Sequence, residues 1–591
     1  MLNSKVKQHN QHNIDDFLEK IIDLFNYGKF REVVFHIKNY LEKYPPSHQL
    51  YNILGLTYIK LNKNTLAYHC YDKAISIEPG FAVSYFNLGS LFHEENSVEK
   101  AIENYKKAIS LNPNYIDAIF NLAIVLKENG EIKKAIHAYK YLLQKDNFHI
   151  DAHYNLGIIF KEIKRFSSSI FHYKKVLNIK PVYLDTSFQL GNLYQKIKNF
   201  EKAIYYYSEE CKINKNNYMA YFLLGNSYIG KGDLKTAYQK FQKALIINPK
   251  FFNAYKYLGY IKQKEEDHNS ALKFYNKFLK FKPSCAETNN NIGFSYEKKK
   301  EFVKALNHYT KSLKYDPVYF EAHHNMGNVL QKLGELDRAL DSYKKALNIC
   351  PNNSEILLNY GCTNLKKGFL KVGFKMYENR FNSKEFVCKP PKDNLTWDGE
   401  KSLIGKHFLV YDEQGFGDII QFSRYLILLK EKGAKVTFKV RKDLHKLLST
   451  MAIDINLISY YPNYEGIDFE SPLLSLPYLF GTEIINIPIW QKYIFADKKK
   501  ISYWRNILSN KKLKIGINWH GSNDEKSFEL NHFRKIAELP NVQLISLQKG
   551  KSEKDLNNID FPVKSFEDEQ ESNNNGTTRA IFLLNIYRIL F

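Results

Sequence analysis

Apolar residues recur at helical spacing along the first two thirds of the chain, in paired runs such as SYFNLGSLFHEE and VEKAIENYKKAISL (Ser84–Glu95 and Val98–Leu111). Each pair predicts two helices separated by a short polar break. One pair cannot bury its apolar stripes alone, so neighbouring pairs have to stack into a continuous core. After about Glu385 the pattern changes. Short apolar runs such as HFLVY (His407–Tyr411) and AKVTFKV (Ala434–Val440) alternate with amphipathic stretches, which predicts strands alternating with helices. No window of ~18 unbroken apolar residues occurs, so no transmembrane helix is predicted.

The paired runs are periodic. Pro79, Pro113, Pro181, Pro249, Pro283, Pro317 and Pro351 lie on one 34-residue grid, with Asn147 and Lys215 in the two remaining places. A glycine precedes each grid position by 24 residues, from Gly55 to Gly327, with Gly361 one step past the last proline, except that Ala123 stands in the third unit. Twelve residues after the glycine position comes a small residue (Ala67, Ala101, Ala135, Ser169 and onward to Gly373), and sixteen after it an aromatic, from Tyr71 to Tyr377. Glycine and alanine let the paired helices approach closely, the aromatic fills the gap toward the next unit, and proline ends the second helix because it has no N–H for the ladder. In length, order and residue identity this unit resembles the tetratricopeptide repeat. The resemblance implies an α-solenoid with a degenerate cap over residues 14–47, nine full repeats over 48–353 and a partial repeat over 354–387. The weakest unit carries Glu210 and Lys215 where small and proline residues are usual.

Composition alters this picture little. At ~150 residues per domain, 591 residues would make about four domains, but a short repeat lets a chain lengthen without enlarging any one core. Hydrophobic residues at 44% and charged residues at 25% exclude wholesale disorder. The formal charge is +24. The lysine pairs at 106–107, 174–175 and 344–345 fall on second helices as solvated surface charge, and the aromatics are used in the repeat core, so no nucleic-acid partner is expected. Six cysteines without a C-x-x-C pair argue against a disulfide framework or a zinc site. With a polar N-terminus lacking a signal-peptide core, this reads as a cytoplasmic chain.

A second ladder lies two residues before the glycine position: Asn87, Asn121, Asn155, Gln189, Leu223, Tyr257, Asn291, Asn325 and Asn359. It falls on the first helix of each unit, which lines the concave face in this repeat family. An amide offers a donor and an acceptor together, so it suits a peptide backbone in the groove, and equally suits bonding within or between repeats. The protein O-linked N-acetylglucosamine transferases, which this architecture resembles, hold protein substrates with such an asparagine ladder.

In the C-terminal part the strand HFLVY is followed by DEQGFGD, a helix over about Ile419–Lys432, Gly433, the strand AKVTFKV and the helix DLHKLLSTM, the opening of a doubly wound α/β unit. Gly415 and Gly417 allow tight turning, and the N–H groups at the helix start suit an anion. The stretch DEQGFGDIIQFSRYLILLKEKGAKVTF resembles heptosyltransferase-like glycosyltransferases appended to bacterial tetratricopeptide-repeat proteins. The likeness continues through SPLLSLPYLFGT, KIGINWHGSND and KSFELNHFRKIAELPNVQLISLQKG, collinear over about Lys406–Gly550. It implies a GT-B fold with a first Rossmann-like half over 388–512, a second half from 513, and a nucleotide sugar bound between them as substrate, with no cofactor and no metal. It also implies Asp418 as general base, Gln414, Gly415, Gly417 and His520 at the substrate, and Lys526 and Lys549 against the leaving diphosphate. On residue chemistry alone Asp418 is equally a helix cap, His520 a bystander and the lysines plain surface. After Gly550 the family's Asp-Thr…His-Leu run is missing, so the second half, residues 513–591, reads as truncated or divergent.

Two functions follow. One is an inverting glycosyltransferase moving sugar from a nucleotide-sugar donor to a protein or glycan acceptor presented by the repeats. The other is a non-catalytic peptide- or protein-binding scaffold carrying a degenerate transferase module.

Overall fold

The computed structural model describes residues 2–383, 389–488, 493–495, 498–509, 511–519, 527–548 and 550–565. The chain falls into two compact units, Met1–Phe281 and Lys282–Phe591.

The first unit is helical throughout its described residues. Helix Leu2–Asn26 opens it and starts ahead of the expected cap at residue 14; paired helices follow, such as Ala82–Glu94 with Val98–Leu111 and Ile116–Glu128 with Ile132–Lys145. Every pair turns on one residue in the left-handed region, and these residues also keep the 34-residue spacing: Gly28, Asn62, Asn96, Gly130, Lys164, Lys198, Gly232 and Glu266. Only three of these eight are glycine, which is why glycine counting alone does not reveal the turn.

The periodic aromatics are buried. Tyr71, Tyr105, Tyr173 and Tyr207 are all fully buried, and a Cβ added at Gly157 would lie 2.6 Å from the Tyr173 ring. The same clash recurs at Gly55 with Tyr71 and at Gly191 with Tyr207. The glycine therefore makes room for the ring of its own repeat, and the ring also meets the neighbouring repeat, as where Phe241 stacks on Tyr257 at 5.3 Å. The aromatic thus fills the gap toward the next unit, as expected, and also the space over the glycine of its own repeat.

The second unit begins with three repeats of the same kind, from helix Ala286–Lys298 to Leu370–Tyr377, and continues through a 3₁₀ turn, Glu378–Asn382, into an α/β region. Its strands are β1 (His407–Tyr411), β2 (Lys435–Lys439), β3 (Asn456–Ile458), β4 (Phe469–Pro472), β5 (Leu513–Ile517), β6 (Val542–Ser546) and β7 (Val563–Lys564). The first four form a parallel sheet of order β3-β2-β1-β4, and the last three a second parallel sheet of order β5-β6-β7. His407 pairs with Lys435 and Phe408 with Phe469, so β1 sits at the centre with Phe408, Leu409 and Val410 fully buried. Leu426, Leu429, Leu447 and Leu448 pack on it, and Leu358 and Tyr377 of the last repeat belong to the same core.

The single helix expected over Ile419–Lys432 is two, Phe416–Phe422 and Tyr425–Glu431. At the break Ser423 Oγ donates to the Ile420 carbonyl at 2.8 Å and Arg424 Nε to that of Gln421 at 2.8 Å. Side chains that take backbone carbonyls in this way compete with the helical ladder. Among the described residues no helix is long and apolar enough to cross a membrane.

Candidate functional site

The amide ladder occupies the first helices of the repeats, and most of its members have partners inside the protein. Asn87, 7% exposed, donates through Nδ2 to Asn52 Oδ1 of the preceding repeat at 2.9 Å. Asn325 does the same to Asn290 at 3.0 Å, and Asn359 to His324 Nε2 at 2.9 Å and to Asn328 at 3.2 Å. Asn155 donates to the Tyr139 hydroxyl at 3.1 Å, and Asn121 bonds the Tyr105 hydroxyl in the corresponding way. Gln189 accepts from Lys161 at 2.9 Å and donates to Asp185 at 2.6 Å. Asn291 is half-buried on helix Ala286–Lys298. Six of the seven amides of the ladder are thus oriented by a bond to a neighbouring side chain.

At the end of β1 the loop Asp412–Gly415 departs from the expected glycine turn. Its left-handed residue is Gln414, at φ +62°, while Gly415 has φ −87° and caps helix Phe416–Phe422. The turn is held by side chains instead. The Arg441 guanidinium donates to the Gln414 carbonyl, and the Gln414 amide donates to the Tyr377 hydroxyl. Asp412 pairs with Lys439 at 2.8 Å and Arg441 at 3.0 Å. Asp418, at the third helical position, accepts the Gly415 N–H at 3.3 Å, the carboxylate half of a capping box. Gly417 is exposed, with open space where a Cβ would stand.

In an open α/β sheet, ligands favour the crevice beyond the strand ends where the order reverses, here between β1 and β4. Arg380 fills that position. Fully buried, it donates through Nε and Nη2 to the two carboxylate oxygens of Glu413 at 2.9 Å each, and through Nη2 to Ser475 Oγ at 2.8 Å. Its Nη1 pairs with Glu378 at 2.6 Å, and the guanidinium lies 4.2 Å from the Phe381 ring centroid. Glu413 also accepts the Leu474 N–H at 2.9 Å. Sequence reasoning missed this cluster. Its only signal was an arginine placed just after the last aromatic of the repeat grid.

In the second sheet Trp519 is buried after β5 and donates its indole N–H to Asp555 at 3.0 Å. His520, Lys526 and Lys549 lie outside the described residues. Of the seven residues expected at a transferase site, Gln414, Gly415, Gly417 and Asp418 are brought together in one loop and helix start.

Family models for the tetratricopeptide repeat match residues 48–81, 150–183, 184–217, 218–251 and 320–353, and a TPR repeat model matches residues 89–130. The stretch from residue 48 to residue 353 is an array of tetratricopeptide repeats. No curated protein matches the chain. Similar solved structures include MamA protein, at 25% identity over 28% of this chain and 92% of that one, TM-score 0.28. YrrB, titled a TPR protein with an unusual peptide-binding site, is 22% identical over 31% of this chain and 95% of its own, TM-score 0.28. A tetratricopeptide repeat protein from Parabacteroides merdae is 17% identical over 42% of this chain and 98% of its own, TM-score 0.29.

Proposed function

We propose that this chain is a peptide- or protein-binding scaffold that uses the repeat ladder as its contact row. The observation that carries this reading is the bond from a ladder amide to the side chain 35 residues earlier, seen at Asn87–Asn52, Asn325–Asn290 and Asn359–His324. One such bond fixes the amide rotamer, and an amide holds further donor and acceptor capacity with which to bracket a peptide main chain without reading its sequence. Pre-orientation lowers the side-chain ordering cost of binding. The test uses an array of 15-residue peptides tiled from unrelated proteins. Asn87→Ala/Asn325→Ala/Asn359→Ala should weaken binding broadly across the array, and a triple variant that keeps the wild-type pattern removes the reading. A reducing compartment, the cytoplasm, suits Cys70 and Cys211, whose burial pushes their thiols up to about 12.

A second reading, glycosyl transfer, is favoured by two all-parallel sheets in succession with a carboxylate at the helix start after β1. Here the Asp418 carboxylate takes the acceptor hydroxyl proton, the acceptor oxygen bonds the sugar anomeric carbon, and the bond to the nucleoside diphosphate breaks. Gln414, Gly415, Gly417 and His520 would line the substrate, and Lys526 and Lys549 would neutralise the departing diphosphate in place of a metal. Assay of a nucleotide-sugar panel against wild type and Asp418→Asn decides it. Transfer lost in the variant supports the reading, and absence of both turnover and nucleotide-binding heat in wild type removes it.

A further inference from the structure

Seven of the nine full repeats place at least one ring at a facing pair of positions between their two helices, and the third and ninth place none there. One position lies near the end of the first helix and the other in the middle of the second. In the fourth repeat they carry Phe160 and His172, whose rings stack at 5.5 Å and 8°. In the fifth they carry Tyr194 and Tyr206, at 5.5 Å and 3°, and in the eighth Tyr296 and His308, at 5.7 Å and 26°. The third repeat places Leu126 and Ala138 at these two positions. The ninth also has a small pair, Leu330 and Ser342, but there a hydroxyl lies on the floor, bonded to the Arg338 carbonyl at 2.9 Å.

With two rings missing, a groove of about 520 Å³ opens between helices Val98–Leu111, Ile116–Glu128 and Ile132–Lys145. Its floor is apolar and well packed from below: Ile119, Leu122, Leu126 and Ala138 are all buried. Its rim is cationic, formed by Lys106, Lys133 and Lys134 with His137, all exposed. Within the rim Lys134 is paired with Glu131, which also accepts from Asn129 at 3.0 Å.

We propose that this groove is a docking site for an acidic peptide, which inserts one aromatic side chain where the fourth, fifth and eighth repeats carry their own ring pair. The volume left by two absent rings accommodates one, apolar contact to the floor supplies affinity, and carboxylates flanking the aromatic meet the lysine rim. A basic peptide would be repelled by the lysine rim, and an uncharged one would gain nothing from it. The inference does not rest on the amide ladder.

The test is selection of a random dodecapeptide phage library on the full chain, with Leu126→Phe/Ala138→His as counter-target. That variant rebuilds the Phe160–His172 pairing in the third repeat, so it should melt no lower than wild type. Enriched peptides should carry an aromatic bracketed by Asp or Glu. A synthetic consensus peptide should bind at least tenfold more weakly to the filled variant and to Lys133→Glu/Lys134→Glu, and more weakly in high salt. Enrichment of neutral or basic sequences, or affinity unmoved by both groove variants, overturns the proposal. Should the filled variant fold poorly, the two exposed lysine reversals carry the decision alone.

Discussion

Arg380 and Glu413 meet through two hydrogen bonds of 2.9 Å each, one residue from the last turn after the repeats and the other from the loop after β1. Both are buried, and Ser475, Glu378 and the Leu474 N–H add to their bonding. Removing Arg380 takes the counter-charge from buried Glu413, at a cost of about 3–5 kcal/mol. Removing Glu413 leaves Arg380 paired with Glu378 and costs less. Arg380→Met and Glu413→Gln should each sharply raise hydrogen exchange in β1 and in turn Glu378–Asn382. The double variant, which strands no charge across this pair, should be less damaging than the sum of the two. Additive damage would show that the pair does not act as a unit.

Gly157 stands directly under Tyr173, with 2.6 Å between a hypothetical Cβ and the ring. Gly157→Ala forces the ring or a helix to shift, and overpacking of this kind costs about 1–3 kcal/mol. The gain of helix propensity from alanine, about 1 kcal/mol, offsets only part of it. Exchange protection in helices Ile150–Glu162 and Phe166–Ile179 should fall. Protection equal to or above wild type would mean that the site relaxes as the third repeat has done around Ala123.

The repeats were legible because their constraint is local and recurrent: a glycine, a small residue and an aromatic at fixed offsets report one packing event, Gly157 under Tyr173 being an example. Strands β1 and β2 were legible for a similar reason, as unbroken apolar runs. What sequence could not give was contact between distant segments. Arg380 and Glu413 are 33 residues apart, and nothing at either position announces the other. The break at Ser423 and the left-handed Gln414 escaped because local side-chain bonds, rather than periodicity or glycine, decide the backbone there. Within the ladder, chemistry pointed to amide bonding and only coordinates identify the partners.

His153 and His172 face each other through Nδ1 atoms 2.9 Å apart. His153 Nε2 lies 3.2 Å from the Asn147 carbonyl, which assigns its proton to Nε2 and makes His172 Nδ1–H the donor between the rings. Burial, then His153 and Lys140, push His172 down to about 4, and burial also lowers His153, with Lys175 and His149 adding to it against Asp146. A histidine whose folded pKa lies below its unfolded ~6.5 leaves stability whole above that pH and lowers it as pH falls from ~6.5 toward 4, because only the unfolded chain takes up the proton. With solvent screening the loss is about 1–2 kcal/mol. Exchange in helices Ile150–Glu162 and Phe166–Ile179 should therefore rise from pH 7 to pH 4.5 after correction for intrinsic rates. His172→Phe should flatten that rise, and an unchanged slope would exclude the pair as its source.

Glu210 is the residue that marked the fifth repeat as weak, and the structure shows how it is accommodated. The carboxylate is 5% exposed and accepts Asn217 Nδ2–H at 2.8 Å, while Asn217 Oδ1 caps helix Tyr218–Lys231 through the Ala220 N–H at 3.1 Å. One side chain thus satisfies a buried acid and a helix end. Asn217→Ser can still cap but no longer reaches Glu210, so it should cost about 1–3 kcal/mol, the penalty of an unsatisfied buried polar group. Asn217→Ala loses the cap as well, about 1 kcal/mol more. Other repeats carry Ala108, Ala244 and Ala346 at the position of Glu210, so Glu210→Ala should restore most of the stability lost in Asn217→Ser. Urea midpoints of the four chains check this ordering. If Glu210→Ala deepens the loss instead, the carboxylate has a stabilising contact of its own and its bond to Asn217 is not the reason it can be buried.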